Sequence, residues 1–353
     1  MDLVEKIANG IRITSEEAVK LYDLPLDTLG RLADGIRVAK YGKKSYFNIN
    51  RHINPTNVCA DICKFCAYSA SRKNPNPYAM SHDEIVSIAK NSYANGAKEV
   101  HIVSAHNPEV GLDWYMGSYR AVRDALPDIH IKALTAAEVD FLARQYDRTY
   151  DEIIDMMIAN GVDSMPGGGA EIFDEEVRDF LCKGKVTSEQ WLDIHHKWHD
   201  RGRESNATML FGHIESRANR IDHMMRLRDL QDITGGFNAF IPLVYQKENN
   251  FLKVENYPTA HEILKTYAIS RIVLDNIPHI KSYWATSTIG LALIAQEYGC
   301  DDMDGTIERE AIQSAAGAAS GHGMVLDEFV GLIKNAGFTP VERDSLYNEI
   351  RVW

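Results

Sequence analysis

Apolar positions along this chain follow two alternating rhythms. Stretches with helical spacing end at glycine, and a short, densely apolar run follows. Asn95-Gly96 precedes Glu99-Val100-His101-Ile102-Val103. Asn160-Gly161 precedes Val162-Asp163-Ser164-Met165, Arg201-Gly202 precedes Ser205-Asn206-Ala207-Thr208-Met209, and Tyr298-Gly299 precedes Cys300-Asp301-Asp302-Met303. Glycine just past a helix takes the left-handed conformation that stops it and turns the chain. Further short runs at His52 to Thr56, Ile129 to Thr135, Phe237 to Pro242 and His279 to Trp284 fill the intervals. Repeated strand–helix units predict an α/β fold with a parallel sheet and right-handed crossovers. About eight such units over roughly 260 residues favour a closed (β/α)8 barrel of the TIM type over an open sheet.

The ends read differently. Residues 1–48 have helical spacing at Ser15-Glu16-Glu17-Ala18-Val19 and from Leu26 to Tyr41, with no strand pattern, and predict an N-terminal helical cap. The barrel is expected over 49–320. Residues 321–353 read as a C-terminal helix, starting near Val325, and an extended tail packed on the barrel. Arg72-Lys73-Asn74-Pro75-Asn76-Pro77 reads as a loop within the barrel, not a domain boundary.

Composition narrows the class. The 353 residues are 45% hydrophobic and 25% charged, as in a globular protein with a large core. A net charge of −12 argues against a nucleic-acid partner, which would call for a basic face. The start, Met1-Asp2-Leu3-Val4-Glu5-Lys6, lacks the basic-then-apolar run of a signal peptide. The longest apolar stretch, Ile289 to Ala295, is far short of the ~20 residues of a membrane helix. A soluble, cytoplasmic protein with no membrane partner is expected.

Three of the five cysteines, Cys59, Cys63 and Cys66, fall on one loop after the first predicted barrel strand. A tight cysteine group in a reducing compartment more often binds metal than forms disulfides. Three thiolates at this spacing can hold three corners of a cubane iron–sulfur cluster, leaving one iron open to an outside ligand. Structural zinc is the alternative. It takes four ligands, commonly as paired Cys or His elements; no second pair exists here, and His52 is the conceivable fourth ligand. Cys182 and Cys300 fit no pattern and are expected to be buried structural thiols.

The segment Cys59-x3-Cys63-x2-Cys66, with Phe65 before the third cysteine, resembles the signature of the radical S-adenosylmethionine (SAM) superfamily. The resemblance extends over nearly the whole chain. It points to the branch containing biotin synthase-like barrels, the deazaflavin-forming synthases and the two radical enzymes of the futalosine route to menaquinone. The segments that carry it are Ser104-Ala105-His106-Asn107-Pro108, Lys132-Ala133-Leu134-Thr135-Ala136-Ala137-Glu138, Asp163 to Ile172, Ser205 to Glu215, and Leu230 through Gly236-Phe237 to Pro242. Within the branch, Ser205-Asn206-Ala207-Thr208-Met209-Leu210 and Ile241-Pro242-Leu243 are similar to the aminodeoxyfutalosine synthases. The cyclic dehypoxanthine futalosine synthases and the deazaflavin synthases remain the alternatives.

The resemblance implies a [4Fe-4S] cluster on Cys59, Cys63 and Cys66, with SAM as co-substrate. It implies an enol-ether dicarboxylate as small-molecule substrate and a cellular one-electron donor such as flavodoxin or ferredoxin. The class it implies is a transferase.

Barrel active sites collect at the C-terminal ends of the strands, which selects further candidates. His106 and His213 are candidates for proton transfer or carboxylate positioning; each reads equally as a satisfied core histidine. Glu138 is a candidate catalytic or SAM-contacting carboxylate, or a first-turn helix residue. Tyr68 and Ser104 are candidates for the cofactor pocket. Gly167, Gly168 and Gly169 would let the backbone approach a ligand closely, or simply make a tight turn. Glu171 would accept from ribose hydroxyls or an amine. Arg178 and Arg271 are possible carboxylate clamps, with Asn107, Asn206 and Thr208 as softer candidates. His195 and His199 stand at i, i+4 with no His-Glu-x-x-His pattern, and read as a solvated helix face.

Overall fold

The computed structural model describes residues 1–71, 73–307, 311–318 and 323–353. Arg72 of the expected loop and the expected boundary at 320/321 lie outside the described residues. The strands are β1 (Lys44–Asn48), β2 (Asn50–Ile53), β3 (Glu99–Ile102), β4 (His130–Ala133), β5 (Ser205–Phe211), β6 (Phe237–Val244), β7 (His279–Ile280), β8 (Asp302–Gly305), β9 (Thr339–Arg343) and β10 (Glu349–Val352).

Parallel pairing runs from β2 through β3 to β4, with His52 opposite His101 and His101 opposite Lys132. A narrow step then carries the sheet to β5: Lys132 bridges Ser164, and Met165 bridges Ser205. From β5 the pairing continues in parallel to β6 and β7. Lys281 next bridges Asp302 of β8, and β8 pairs with β1 at Asn48 opposite Gly305. Since β1 leads through Ile49 into β2, the ring returns to its start, giving the TIM-type architecture expected. The predicted strand at 162–165 is only this pair of bridges. The proline at 166 offers no N–H to continue a ladder, and glycines follow it.

The helices fill the intervals. Several open with a capping box, Ser81 with Glu84, Thr135 with Glu138, Thr149 with Glu152 and Thr187 with Gln190, which satisfies the orphan N–H groups of the first turn. The punctuating glycines 96, 161, 202 and 299 all have positive φ.

The chain ends depart from expectation. Helices Leu3–Ala8, Ser15–Lys20 and Leu26–Tyr41 occupy the segment read as helical, but Lys44–Asn48 is strand. Gly42, at φ 61°, ends the long helix, and Tyr46 and Phe47 turn into buried positions. The C-terminal helix Leu326–Asn335 is present, and the tail after it is not merely extended. β9 lies parallel to β1, and β10 antiparallel to β9, giving the sheet order β10-β9-β1-β8.

The tail also reaches under the barrel, at the ends where the strands begin. Arg343 Nε donates to Asp302 Oδ2 at 2.6 Å, and Ser345 Oγ to Glu99 Oε2 at 2.5 Å. Glu99 in turn takes Lys132 Nζ at 2.7 Å. All five residues are buried, so each charge is compensated where water cannot reach it.

His195 and His199 are not on a solvated face. Both are buried, and Ser205 Oγ lies 2.9 Å from His195 Nδ1 and 2.7 Å from His199 Nε2. The intervening His196 is half-buried. Among the described residues no helix is long and apolar enough to cross a membrane.

Candidate active site

The cysteine loop has no regular secondary structure of its own, so other loops must hold it. Ala60 N donates to His106 O at 2.8 Å, and Lys64 N to Leu181 O at 2.8 Å. Lys64 O accepts from both Phe251 N and Leu252 N, and Ala70 N donates to Asn57 O at 2.7 Å. Asn57 and Thr56 tie the loop's start to Tyr78. Pinned this way, the loop turns Cys59, Cys63 and Cys66 into one cavity of about 270 Å³ at the C-terminal ends of the strands. Burial is the main cause raising the Cys59 thiol pKa, against backbone donors from His106 and Asp61. Cys182, expected to be a buried structural thiol, is buried and hydrogen-bonds Cys63 from behind. Cys300 is buried elsewhere in the core.

The glycine run forms a second wall. A Cβ on Gly167 would stand 2.7 Å from Asn206 O, and one on Gly169, at φ 86°, would stand 2.6 Å from Ala137 Cβ. Glycine is thus required by what packs behind the run, while its other side lines the cavity. Thr208 Oγ1 donates to Gly167 O at 2.5 Å and Trp191 Nε1 to Gly168 O at 3.2 Å. Arg178 completes the clamp. Its guanidinium donates to the carbonyls of Gly169, Ala170, Ile172 and Val186, so it braces this loop and does not line the cavity. Arg271 is also buried and bound, to Asp301, Gly299 O and Pro278 O.

Glu171 does line the cavity, at φ 47°, and its Oε1 accepts from Lys185 Nζ at 2.8 Å. Burial alone would raise the carboxyl's pKa, but the ammonium charge and hydrogen bond hold it below the ordinary range. Leu134, Glu171 and Asp304 are non-glycine residues at positive φ around the strand ends. Such conformations cost about 1–3 kcal/mol each and tend to gather at functional sites.

The remaining candidates divide. His106 lines the cavity, stacked on Phe141 with centroids 5.0 Å apart, and its Nδ1 is 2.8 Å from Asp61 Oδ2. Ser104 and Tyr68 line it too. Ser104 N donates to Glu138 Oε1 at 2.8 Å, while Ser104 Oγ is buried without a hydrogen-bond partner among the described residues. Tyr68's hydroxyl is a strut, 2.6 Å from Tyr78's and 3.0 Å from Thr56 O.

Glu138 and His213 lie behind the walls instead. Glu138 is the capping-box carboxylate of helix Ala136–Gln145, accepting from Thr135 N, Thr135 Oγ1 and Ser104 N. Burial raises its pKa against those donors. His213 Nδ1 accepts from Ile214 N at 2.7 Å, its Nε2 is 3.0 Å from Leu210 O, and burial lowers its pKa. Asn107 braces the cysteine loop through Thr56 Oγ1 at 3.0 Å.

Three cavity residues carried no local sequence signal. Lys185 follows a short helix in an ordinary loop. His101 and Asp304 point inward from β3 and β8 to the cavity floor. His101 meets His52 edge-on at 4.7 Å and has a buried Nε2 with no hydrogen-bond partner among the described residues. Burial, then His52, hold His101 neutral. Asp304 Oδ1 takes Lys281 Nζ at 3.0 Å, and against its burial the surrounding cations hold its pKa down at about 2.

The family model for the radical SAM superfamily matches residues 53–227, and that for the CofH/MqnC C-terminal region matches 234–352. The aminodeoxyfutalosine synthase of Thermus thermophilus is 41% identical over 99% of this chain and 96% of its own length. That of Streptomyces coelicolor is 38% identical over 99% and 94%. The chain belongs to the radical SAM superfamily. The cyclic dehypoxanthine futalosine synthase of Streptomyces coelicolor is 37% identical over 99% of this chain and 88% of its own. The fold is shared with methylornithine synthase, at a TM-score of 0.77 and 15% identity over 96% of this chain and 97% of that one. As a member, the protein is a radical SAM enzyme, and the superfamily implies SAM and a [4Fe-4S] cluster.

The residues present fit that pair. Three thiols from one loop face one cavity, and among the described lining residues there is no fourth cysteine. The unpartnered Ser104 Oγ and the glycine wall supply a polar, closely approachable surface beside them.

Proposed function

We propose that the protein is an aminodeoxyfutalosine synthase, joining the adenosyl part of SAM to 3-[(1-carboxyvinyl)oxy]benzoate to give 6-amino-6-deoxyfutalosine, methionine and CO2 or bicarbonate. The observation that carries this reading is near-full-length similarity to two enzymes of that name, at 41% and 38% identity. Cys59, Cys63 and Cys66 would hold the cluster. When bound, the cluster and SAM together supply a 5′-deoxyadenosyl radical.

The chain's own residues bind and orient. The glycine wall admits a flat or extended ligand against its backbone. Ile241, Leu243 and Tyr283 give an apolar wall suited to an aryl ring. Lys185 is the one lysine or arginine among the described lining residues. Glu171 engages one of its three N–H donors, and the others are available to a carboxylate. His101, held neutral, offers Nε2 as donor or acceptor at the floor.

Mass spectrometry of an anaerobic, reconstituted assay tests the reading. Product carrying the adenosyl group from SAM and the enol ether supports it. Release of 5′-deoxyadenosine with dehypoxanthine futalosine, and no adduct from the enol ether, would instead assign the cyclic synthase activity.

A further inference from the structure

The wall behind Cys63 carries a fourth cysteine. Cys182 ends helix Glu175–Cys182 and is 3% exposed. Its side chain hydrogen-bonds that of Cys63, which packs against the hydrophobic core containing Cys182. The contact is held from the backbone. Lys64 N, one residue after Cys63, donates to Leu181 O, one residue before Cys182, at 2.8 Å. Lys185 N donates to Cys182 O at 3.2 Å. Main-chain bonds on either side therefore fix the two sulfurs relative to each other, and their own weak attraction does not have to.

The direction of the bond follows from chemistry. A cysteine that ligates iron does so as thiolate, with no proton to give. With Cys63 bound to iron, the S–H of Cys182 is the proton left to share, so Cys182 donates and the Cys63 sulfur accepts. Cys59 differs, because its donors are backbone groups of His106 and Asp61, which a side-chain substitution does not remove. Lys185 brings a positive charge to the same wall, but Glu171 at 2.8 Å offsets it. Cys182 lies outside the cavity lining, so its effect reaches the site through Cys63.

We propose that Cys182 donates its S–H to the Cys63 sulfur in the loaded protein and thereby raises the reduction potential of the cluster. Hydrogen bonds to ligating sulfurs are among the factors that set such potentials. A donor offsets the negative charge that an added electron places on sulfur, so the reduced form gains more from it than the oxidised form does. No bond is made or broken at Cys182, which is a positioning residue and touches no substrate. The inference rests on Cys63 as a cluster ligand and holds whichever product forms.

The test uses the reconstituted full chain without SAM. The potential is read by titration with redox mediators, following the paramagnetic signal of the reduced cluster. Cys182→Ala is expected to lower the ratio of reduced to oxidised protein at a fixed potential at least threefold, about 28 mV at ~59 mV per tenfold for one electron. Cys182→Ser, close to alanine in size but with an O–H donor, should stay nearer the parent than that. The Fe–S(Cys) stretching bands in resonance Raman spectra should shift upward in Cys182→Ala and not in Cys182→Ser. Cys300→Ala, a buried thiol elsewhere in the core, should keep the parent potential. An unmoved potential in Cys182→Ala, or an equal fall in Cys182→Ser, overturns the inference, the second by showing that packing alone matters. Should Cys182→Ala not take up iron, Cys182→Val and Cys182→Thr, alike in shape and different in the hydroxyl, decide on the same criteria. The iron content of Cys63→Ala checks the premise separately: a full load there removes the ligand assignment, whereas a loaded but unshifted Cys182→Ala removes only the role of the hydrogen bond.

Discussion

Lys185 and Glu171 meet at 2.8 Å inside the cavity, each with only 12% of its side chain exposed. The lysine comes from a loop with no motif, the glutamate from a residue at φ 47° just after the glycine run. Their pairing fixes the position of a positive charge beside the thiols.

Removing one partner leaves the other charge buried and alone. Glu171→Gln and Lys185→Met are each expected to destabilise the protein by roughly 3–5 kcal/mol, and the double variant by less than the sum. Thermal unfolding of the three proteins measures this. Additive losses would show that the two side chains do not act as a pair.

Cys63→Ala is expected to fold but to bind iron and sulfide at background levels after reconstitution, with loss of the brown colour and of all turnover. Cys300→Ala, in the distant core, should load normally. Iron and sulfide analysis with circular dichroism separates the two outcomes, and a fully loaded Cys63→Ala would move the cluster elsewhere.

Gly169→Ala is expected to cost more than about 2 kcal/mol, because the left-handed backbone and the 2.6 Å approach to Ala137 Cβ both resist a side chain. Gly35, in helix Leu26–Tyr41, has open space where its Cβ would go. Gly35→Ala should therefore stabilise by about 0.5–1 kcal/mol. Opposite shifts in melting temperature check the pair.

Burial, the leading cause, lowers the pKa of His199 and of His223 to about 3 in the folded protein. Unfolded, each titrates near 6.5, so below that pH the unfolded chain binds more protons and stability falls as pH drops from about 6.5 toward 3. Each contributes a slope of up to about 1.4 kcal/mol per pH unit in that window. His223→Gln should flatten the acid limb by up to that slope, measured as unfolding midpoint against pH. An unchanged limb would mean that His223 is protonated when folded.

The sequence made the barrel legible where the signal was local. Helix-ending glycines placed β3, β5 and β8, and cysteine spacing placed the thiols together. Thr135 three residues before Glu138 was a readable capping-box pattern, and the structure puts Glu138 in that role rather than in the cavity. The unread parts depend on distant partners. Lys44–Asn48 is strand because β8 and β9 flank it, and five residues after a long helix carry too short a period to reveal that. Arg178 looked like a carboxylate clamp, but local sequence does not show that four carbonyls already surround its guanidinium. Lys185 and His101 became site residues only when chain segments far apart closed on one space.

The tail beneath the barrel has a consequence for how the protein is made. Asp302 and Glu99 receive Arg343 and Ser345, which lie within the last eleven residues of the 353-residue chain. During synthesis, which makes the chain from its N-terminal side onward, Asp302 and Glu99 stay without these partners until residues 343–345 have been added. Ribosome-bound chains halted before residue 343 should therefore remain open to protease along β3 and β8, and become resistant once residues 343–345 emerge.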